Sequence, residues 1–279
     1  MALAPFPNDR SEATPSLPGG TPPESEDDSE SAGSRMSFLE HLDELRSRLI
    51  WSICGVFLGF VASLAFIETI FAFIMRPLQD VLPEGGTLIY TEPGEAFLLY
   101  LKVAALMGLI LSLPVVLTQA WFFIAPGLYA HEKRFAIPFV VFSTAFFVCG
   151  ALFSHLMVFP WAWRFFAGFS TDYMAFTPKI GPVFSLYTRM LLSFGAIFQM
   201  PILVFFLARM GLVTPRFLIR NLKYAILVIF VVAAILTPTP DVVTQSLMAA
   251  PMFVLYLISI LIAWIFAPRS KSPDDREEP

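Results

Sequence analysis

The fold is decided at the stretch MSFLEHLDELRSRL, residues 36–49, where an amphipathic segment leads directly into a long apolar run. Ser37 and Glu40 have the spacing of a capping box, in which a hydroxyl and a carboxylate each bind a backbone N–H group at a helix start. The spacing predicts a helix that begins near Phe38. One face of this helix is apolar and carries Phe38, Leu42, Leu45 and Leu49. The opposite face is polar and carries Glu40, Asp43, Glu44, Ser47 and Arg48.

A helix of this polarity has two interpretations. Joined to a membrane span, it would lie along the bilayer surface and display its carboxylates to water. Alternatively, Glu44 and Arg48, which are four residues apart, pair with each other on a solvated face.

The composition indicates an integral membrane protein. The chain is 57% hydrophobic and 14% charged, which is too apolar for an ordinary soluble domain. Six uncharged runs are each long enough to hold a spanning helix of roughly 17 to 25 residues. They are Leu49–Ile67, Val103–Ala130, Phe135–Trp163, Met190–Ala208, Tyr224–Pro240 and Val242–Pro268. The sequence therefore predicts an all-α membrane protein with six transmembrane helices.

Prolines inside or beside the runs predict that these helices are bent. Each proline removes a backbone donor and distorts its helix. A concave, cup-like bundle is the expected result. The five prolines are Pro114, Pro138, Pro160, Pro201 and Pro251.

The remaining segments are tails and loops. Residues 1–35 contain prolines and acids with almost nothing to bury, so we expect a disordered tail there. Residues 36–267 form the predicted membrane domain, and residues 268–279 a disordered cytoplasmic tail. Residues 76–95 are rich in proline and glycine and are expected to form a structured outer loop.

The distribution of basic residues predicts the orientation. With a cytoplasmic N-terminus, the cytoplasmic side carries all but five of the 18 lysines and arginines. This excess favours both termini inside. The five on the outer side are Arg76, Lys102, Arg164, Lys179 and Arg189.

Catalytic patterns are missing from the sequence. The stretch HEKRF, residues 131–135, begins like a metalloprotease helix but has Phe135 in place of the second histidine. A phosphate-binding glycine loop, clustered histidines and an intramembrane protease nucleophile or aspartate pair are also missing. We therefore expect no enzyme activity, no catalytic residue, no metal or cofactor and no nucleic-acid partner. The alternative class is a proton- or ion-coupled small-solute transporter, which usually has intramembrane ionisable residues and an internal repeat.

Gln199 is a polar residue near the middle of the fourth run, beside Pro201. Polar groups inside spans are default functional candidates. Its amide either hydrogen-bonds a carbonyl freed by the proline or forms a docking point for a partner helix. The two interpretations are about equally supported by the sequence.

Glu132 lies in the short loop between the second and third runs, on the same predicted side as Glu44. The aromatic residues 121–123 are close to it along the chain. Two carboxylates beside apolar surface are suited to a peptide that carries arginine, because a guanidinium engages a carboxylate through two N–H groups. The alternative is a local pair with Lys133 or Arg134.

Five separated motifs, in order, resemble the TatC family from about Met36 to Ala267. They are HLDELRSRL (41–49), PLQDVLP (77–83), FIAPGLYAHEKR (123–134), FQMP (198–201) and LTPTPDVVTQSLMAAPM (236–252). TatC is the signal-recognising membrane subunit of the twin-arginine protein translocase. The chain departs from the family's pattern at Gln199, where many relatives have glutamate, and at TPTPD, which is one residue longer than the commoner TPPD.

The resemblance implies a receptor in the bacterial cytoplasmic membrane that binds twin-arginine signal peptides of folded precursor proteins. It further implies self-association, assembly with the single-span subunits TatA and TatB, and export driven by the proton-motive force. The motif positions that match the family's signal-peptide contacts are Glu44, Arg46, Phe123 and Glu132. Those associated with translocation or partner contact are Pro77, Gln199 and Asp241.

Overall fold

The computed structural model describes residues 26–82, 87–124, 136–171, 173, 176–237 and 241–266. Side chains are described from His41 onward. The polypeptide divides at Leu45 into an N-terminal unit and a larger unit that begins at Arg46. Within the described residues, regular structure is helical apart from isolated bridges in the loops. The all-α prediction is therefore confirmed for this part of the chain.

Helix α1 extends over Glu26–Ala65. The predicted start near Phe38 is therefore wrong, because the helix already includes residues 26–35. The assignment of residues 1–35 to a tail stays a prediction. The last proline before the helix is Pro23, and α1 itself contains none. Every residue of α1 therefore has the backbone N–H group that a helix needs. The rest of that tail, and the C-terminal tail, lie outside the described residues.

The other helices follow in chain order. They are α2 (Ile67–Gln79), α3 (Glu95–Ile124), α4 (Ala136–Phe153), a π-helical turn (Ser154–Val158), α5 (Phe159–Ala167), α6 (Ile180–Ile197), α7 (Met200–Arg209), α8 (Pro215–Arg220), α9 (Leu222–Leu236) and α10 (Val242–Phe266).

Five helical stretches of the described chain are long and apolar enough to cross a membrane. They are His41–Ala65, Glu95–Phe123, Ile137–Ala167, Ile180–Arg209 and Val242–Phe266. The run predicted as the fifth span forms α9, which has 15 residues and is shorter than the others. The multi-pass architecture is confirmed, whereas the count of six spans stays a prediction.

A line of small residues brings α1 against α3. Gly55, Gly59 and Ser63 recur every fourth residue on one face of α1. A Cβ atom added to Gly59 would lie 2.5 Å from the carbonyl oxygen of Gly108 in α3. Ser63 is buried and its Oγ donates to Gly59 O at 2.8 Å. The two helix backbones therefore touch, as small residues allow in membrane proteins.

A second close crossing joins α4 to α6. A Cβ atom on Gly150 would lie 2.6 Å from the carbonyl oxygen of Phe194. One on Gly195 would lie 2.6 Å from the ring of Phe147. The core beside this crossing is built from fully buried large side chains, among them Phe159 and Met190.

The predicted prolines differ in their effects. Helices α3 and α10 continue through Pro114 and Pro251. The third span contains its π-helical turn just before Pro160, and the fourth is interrupted at Phe198 and Gln199, just before Pro201. The cup-like shape stays a prediction.

The π-helical turn carries a buried polar contact. His155 Nδ1 and the Tyr187 hydroxyl are 3.1 Å apart, and the imidazole stacks on Phe73 with ring centres 4.4 Å apart. This contact joins the third span to α6 and α2. A buried polar pair of this kind satisfies groups that lipid or an apolar core would leave without a partner.

The loops that precede α3 and α6 are joined by a short parallel bridge. Ile89 N donates to Pro178 O at 3.3 Å, and Ile180 N donates to Ile89 O at 3.0 Å. The bridge fixes the start of α6 beside the segment that leads into α3.

Candidate functional site

The larger unit contains a polar contact between α1 and the end of α3. Arg48 Nη1 donates to Gln119 Oε1 at 3.3 Å, and its guanidinium carbon lies 5.1 Å from the centre of the Phe122 ring. Such a cation–π contact is worth about 0.5–1 kcal/mol where it is exposed. Arg46 lies two residues earlier on α1, about 200° around the helix, and is exposed. The two arginines therefore face different directions.

The three aromatic residues at the end of α3 have different environments. Trp121 is buried and packs against Phe139 and Phe206, with ring centres 4.4 and 5.2 Å away. Phe122 is exposed, and Phe123 is half-buried. Successive helical residues point about 100° apart, so a run of three aromatics cannot share one surface. The accessible apolar surface here comes from Phe122 and Phe123.

The two acidic candidates lie in different parts of the chain. Glu44 belongs to the N-terminal unit, on α1, and is half-buried. Glu132 lies outside the described residues, as does most of the motif FIAPGLYAHEKR. The joint role of the two carboxylates stays a prediction.

Gln199 connects two spans. It lies in the interruption between α6 and α7, and its Nε2 donates to the carbonyl oxygen of Ser143 in α4 at 2.9 Å. The interpretation that its amide binds a carbonyl freed by Pro201 is wrong, because the acceptor belongs to another helix. Sequence reasoning missed Ser143, since nothing in the sequence indicates which helix faces Gln199.

Pro77 is buried inside α2, which lies in the connection between the first two candidate spans. Residues 76–79, at the start of the predicted structured outer loop, belong to the same helix. The reason is an apolar face with Ile74, Met75 and Leu78, which packs into the core together with the proline ring. A proline near the end of a short helix costs few intrahelical hydrogen bonds.

Asp241 immediately precedes α10. Its Oδ1 accepts a hydrogen bond from Thr244 N at 2.7 Å. This is the geometry of a helix N-cap, which satisfies a backbone donor that has no partner inside the helix. Asp241 therefore has a structural role in addition to any role in translocation.

The described residues contain no group of three or more His, Cys, Asp and Glu side chains that is suited to hold a metal ion. Their apolar surface is extensive along every span, as expected of side chains that face lipid. Fold and site together define a multi-pass α-helical membrane protein whose polar contacts lie at helix ends and helix crossings.

Comparison with known proteins gives the family. Residues 40–251 match the family model of the Sec-independent protein translocase protein TatC. The chain belongs to the TatC family, a family of non-enzymatic membrane proteins. The small-solute transporter alternative is therefore not favoured.

Several relatives match over nearly their whole length. The chain is 45% identical to the Sec-independent protein translocase protein TatC of Desulforapulum autotrophicum over 85% of its own length and 88% of that protein. It is 43% identical to the TatC protein of Koribacter versatilis, over 87% and 90% of the two chains. A crystal structure described as twin arginine translocase receptor TatC aligns with a TM-score of 0.70 at 38% identity. The alignment covers 80% of this chain and 97% of that one.

Proposed function

We propose that this protein is the receptor for twin-arginine signal peptides and the core membrane subunit of a Tat translocase, which exports folded proteins using the proton-motive force. The similarity to the TatC receptor structure, at 38% identity over nearly all of that chain, is the observation that carries the proposal. The compartment is the bacterial cytoplasmic membrane.

The proposed orientation places both termini in the cytoplasm. The positive-inside bias of lysine and arginine supports it. In this orientation α9 and α10 form a closely connected pair of spans, with α9 as the short fifth span. A short span is accommodated by local thinning of the bilayer.

The proposed signal-peptide site consists of Glu44, Arg46, Phe123 and Glu132. Each carboxylate would bind one arginine of the peptide through paired N–H groups. Phe123 would contact the apolar stretch of the peptide, and its half-buried position leaves part of its ring accessible. Arg46 is exposed on α1, where its guanidinium would donate to peptide carbonyls.

A binding titration tests the function itself. The purified full-length protein should bind a signal peptide with two adjacent arginines at least about tenfold more tightly than the same peptide with two lysines. The reason is that a guanidinium offers a planar fork to a carboxylate, whereas an ammonium acts as a point charge. Equal affinity for the two peptides would contradict the proposal.

The proposed partners are TatA and TatB, together with further copies of this chain in the receptor complex. We assign Pro77, Gln199 and Asp241 to partner contact or translocation. The contacts described above give each of them a structural role, so a partner role needs a measurement that separates the two.

The substitution Gln199→Leu distinguishes the structural role of Gln199 from a role in partner binding. Loss of the hydrogen bond to Ser143 O should lower the free energy of unfolding by about 1 kcal/mol, a typical magnitude for one such bond between spans. If Gln199 also docks a partner helix, crosslinks from positions 196–203 to a single-span TatA- or TatB-like subunit should fall as well.

The matched control is Gln245→Leu, because Gln245 Nε2 donates to Phe230 O at 3.0 Å, an equivalent bond elsewhere. Its stability loss should be similar, and crosslinks from 196–203 should persist. Unchanged crosslinking in Gln199→Leu would restrict this residue to its contact with Ser143.

A further inference from the structure

A polar cavity of about 300 Å³ opens where α3 and α6 begin. Four charged residues line it, namely Glu92, Glu95, Lys102 and Lys179. Its floor is apolar and includes the buried side chains of Leu99 and Phe184. The motifs that match the family do not include these charged residues.

The carboxylate of Glu95 already accepts hydrogen bonds from two backbone N–H groups of the protein. Its Oε1 accepts from Gly181 N at 3.1 Å, and its Oε2 accepts from Thr91 N at 3.1 Å. A Cβ on Gly181 would lie 2.7 Å from Oε1, so a larger residue there would shift the carboxylate. The carboxylate thereby ties the start of α6 to the start of α3, and the cavity has a fixed wall.

The side chains of the two lysines that line the cavity, unlike that of Glu95, form no polar contact that holds the described helices together. Within the described residues, neither Lys102 nor Lys179 has an ion pair or a side-chain hydrogen bond, and both are exposed. Lys102 lies seven residues after Glu95, which places both on the same face of α3. Two ammonium groups therefore flank one cavity beside a carboxylate that backbone N–H groups already satisfy.

The cavity lies at the ends of two spanning helices, so it is placed where a bilayer meets water. Leu98 extends the apolar floor and is exposed on the outer surface of α3. A ligand here meets two ammonium groups and two carboxylates at one end and apolar surface at the other. Phospholipids complement this combination, because a phosphate joins their headgroup to acyl chains.

We propose that this cavity binds the phosphodiester of a phospholipid headgroup between Lys102 and Lys179, with an acyl chain along Leu98. Charge-assisted hydrogen bonds from both ammonium groups hold the phosphate oxygens. Glu92 accepts from a donor in the headgroup, which is a hydroxyl in phosphatidylglycerol and an ammonium in phosphatidylethanolamine. The site therefore binds a membrane lipid and is distinct from the proposed signal-peptide site.

The test is native mass spectrometry of the purified full-length protein in detergent, titrated with short-chain phosphatidylglycerol and, separately, phosphatidylethanolamine. Lys102→Gln and Lys179→Gln should each weaken binding of both lipids about fivefold, and the double variant about 25-fold, as expected for a basic group at a lipid surface. The control is Lys223→Gln, an exposed lysine over the ring of Tyr224 in α9, and should bind as the wild type does.

Two results would overturn the inference. Equal lipid retention by the wild type, the control and the double variant would show that the lysines do not hold the headgroup. Displacement of the lipid by inorganic phosphate at an equal concentration would assign the site to a soluble anion. Both lysines are exposed, so the variants should unfold at the same temperature as the wild type in lipid-free detergent.

Discussion

Gly108→Val is expected to lower the free energy of unfolding by about 3 kcal/mol, at the upper end of what overpacking usually costs. A Cβ atom at this position would lie 2.5 Å from Phe60 N and 2.6 Å from Phe60 Cα. These are backbone atoms of α1, which no side-chain rotation can move away. The substitution therefore separates α1 from α3.

Thermal unfolding of the purified protein in detergent measures the effect. Gly94→Ala is the control, because a Cβ there meets nothing within 4 Å. Gly59→Val should destabilise in the same way, and the double variant by less than the sum, since both substitutions open one contact. Comparable stability of Gly108→Val and Gly94→Ala would mean that the two helices do not touch at this point.

Glu44→Gln and Glu132→Gln are each expected to weaken binding of the twin-arginine peptide by roughly tenfold to a hundredfold. The estimate follows from about 1.5–3 kcal/mol for a hydrogen bond to a charged group. If each carboxylate binds one arginine, each variant should lose its preference for arginine over lysine at one peptide position only. The double variant should lose both preferences.

A titration with Arg-Arg, Arg-Lys, Lys-Arg and Lys-Lys peptides distinguishes these cases. Glu68→Gln is a suitable control, because Glu68 is an exposed acid on α2 and lies on the opposite side of the membrane in the proposed orientation. Equal affinity of the wild type and the double variant for the Arg-Arg peptide would restrict both residues to local charge pairing.

Apolar run length was sufficient to predict most of the fold. A spanning helix must satisfy its backbone internally, so long uncharged runs become helices whatever packs beside them. The short helix α2 was not predicted, because the proline- and glycine-rich residues from 76 onward favoured a loop, although Ile74 and Leu78 are spaced for one helix face. The early start of α1 was missed since an acidic, polar segment shows no apolar periodicity, although that segment contains no proline after Pro23.

The candidate site stays a prediction that rests on the motif positions, and the contacts of its residues could not be predicted from the sequence. Asp241 illustrates the difference, because the motif match names the residue, whereas its hydrogen bond with Thr244 N is visible only in the structure. Gln199 and Ser143 are 56 positions apart, and Arg48 and Gln119 are 71 apart. Such pairs depend on which spans are neighbours, and a single sequence does not contain that information.

The small residues of α1 have a consequence for assembly in the bilayer. Only 6% of the most apolar window of this span is buried within the protein. Acyl chains are as apolar as leucine, so the hydrophobic effect does not favour contacts of α1 with protein over contacts with lipid. We therefore expect insertion of α1 to depend on its hydropathy and flanking charges rather than on contacts with the rest of the protein. Its attachment to α3 depends instead on a few specific contacts, namely the close approach of Gly59 to Gly108 and the contacts of Arg48 with Gln119 and Phe122.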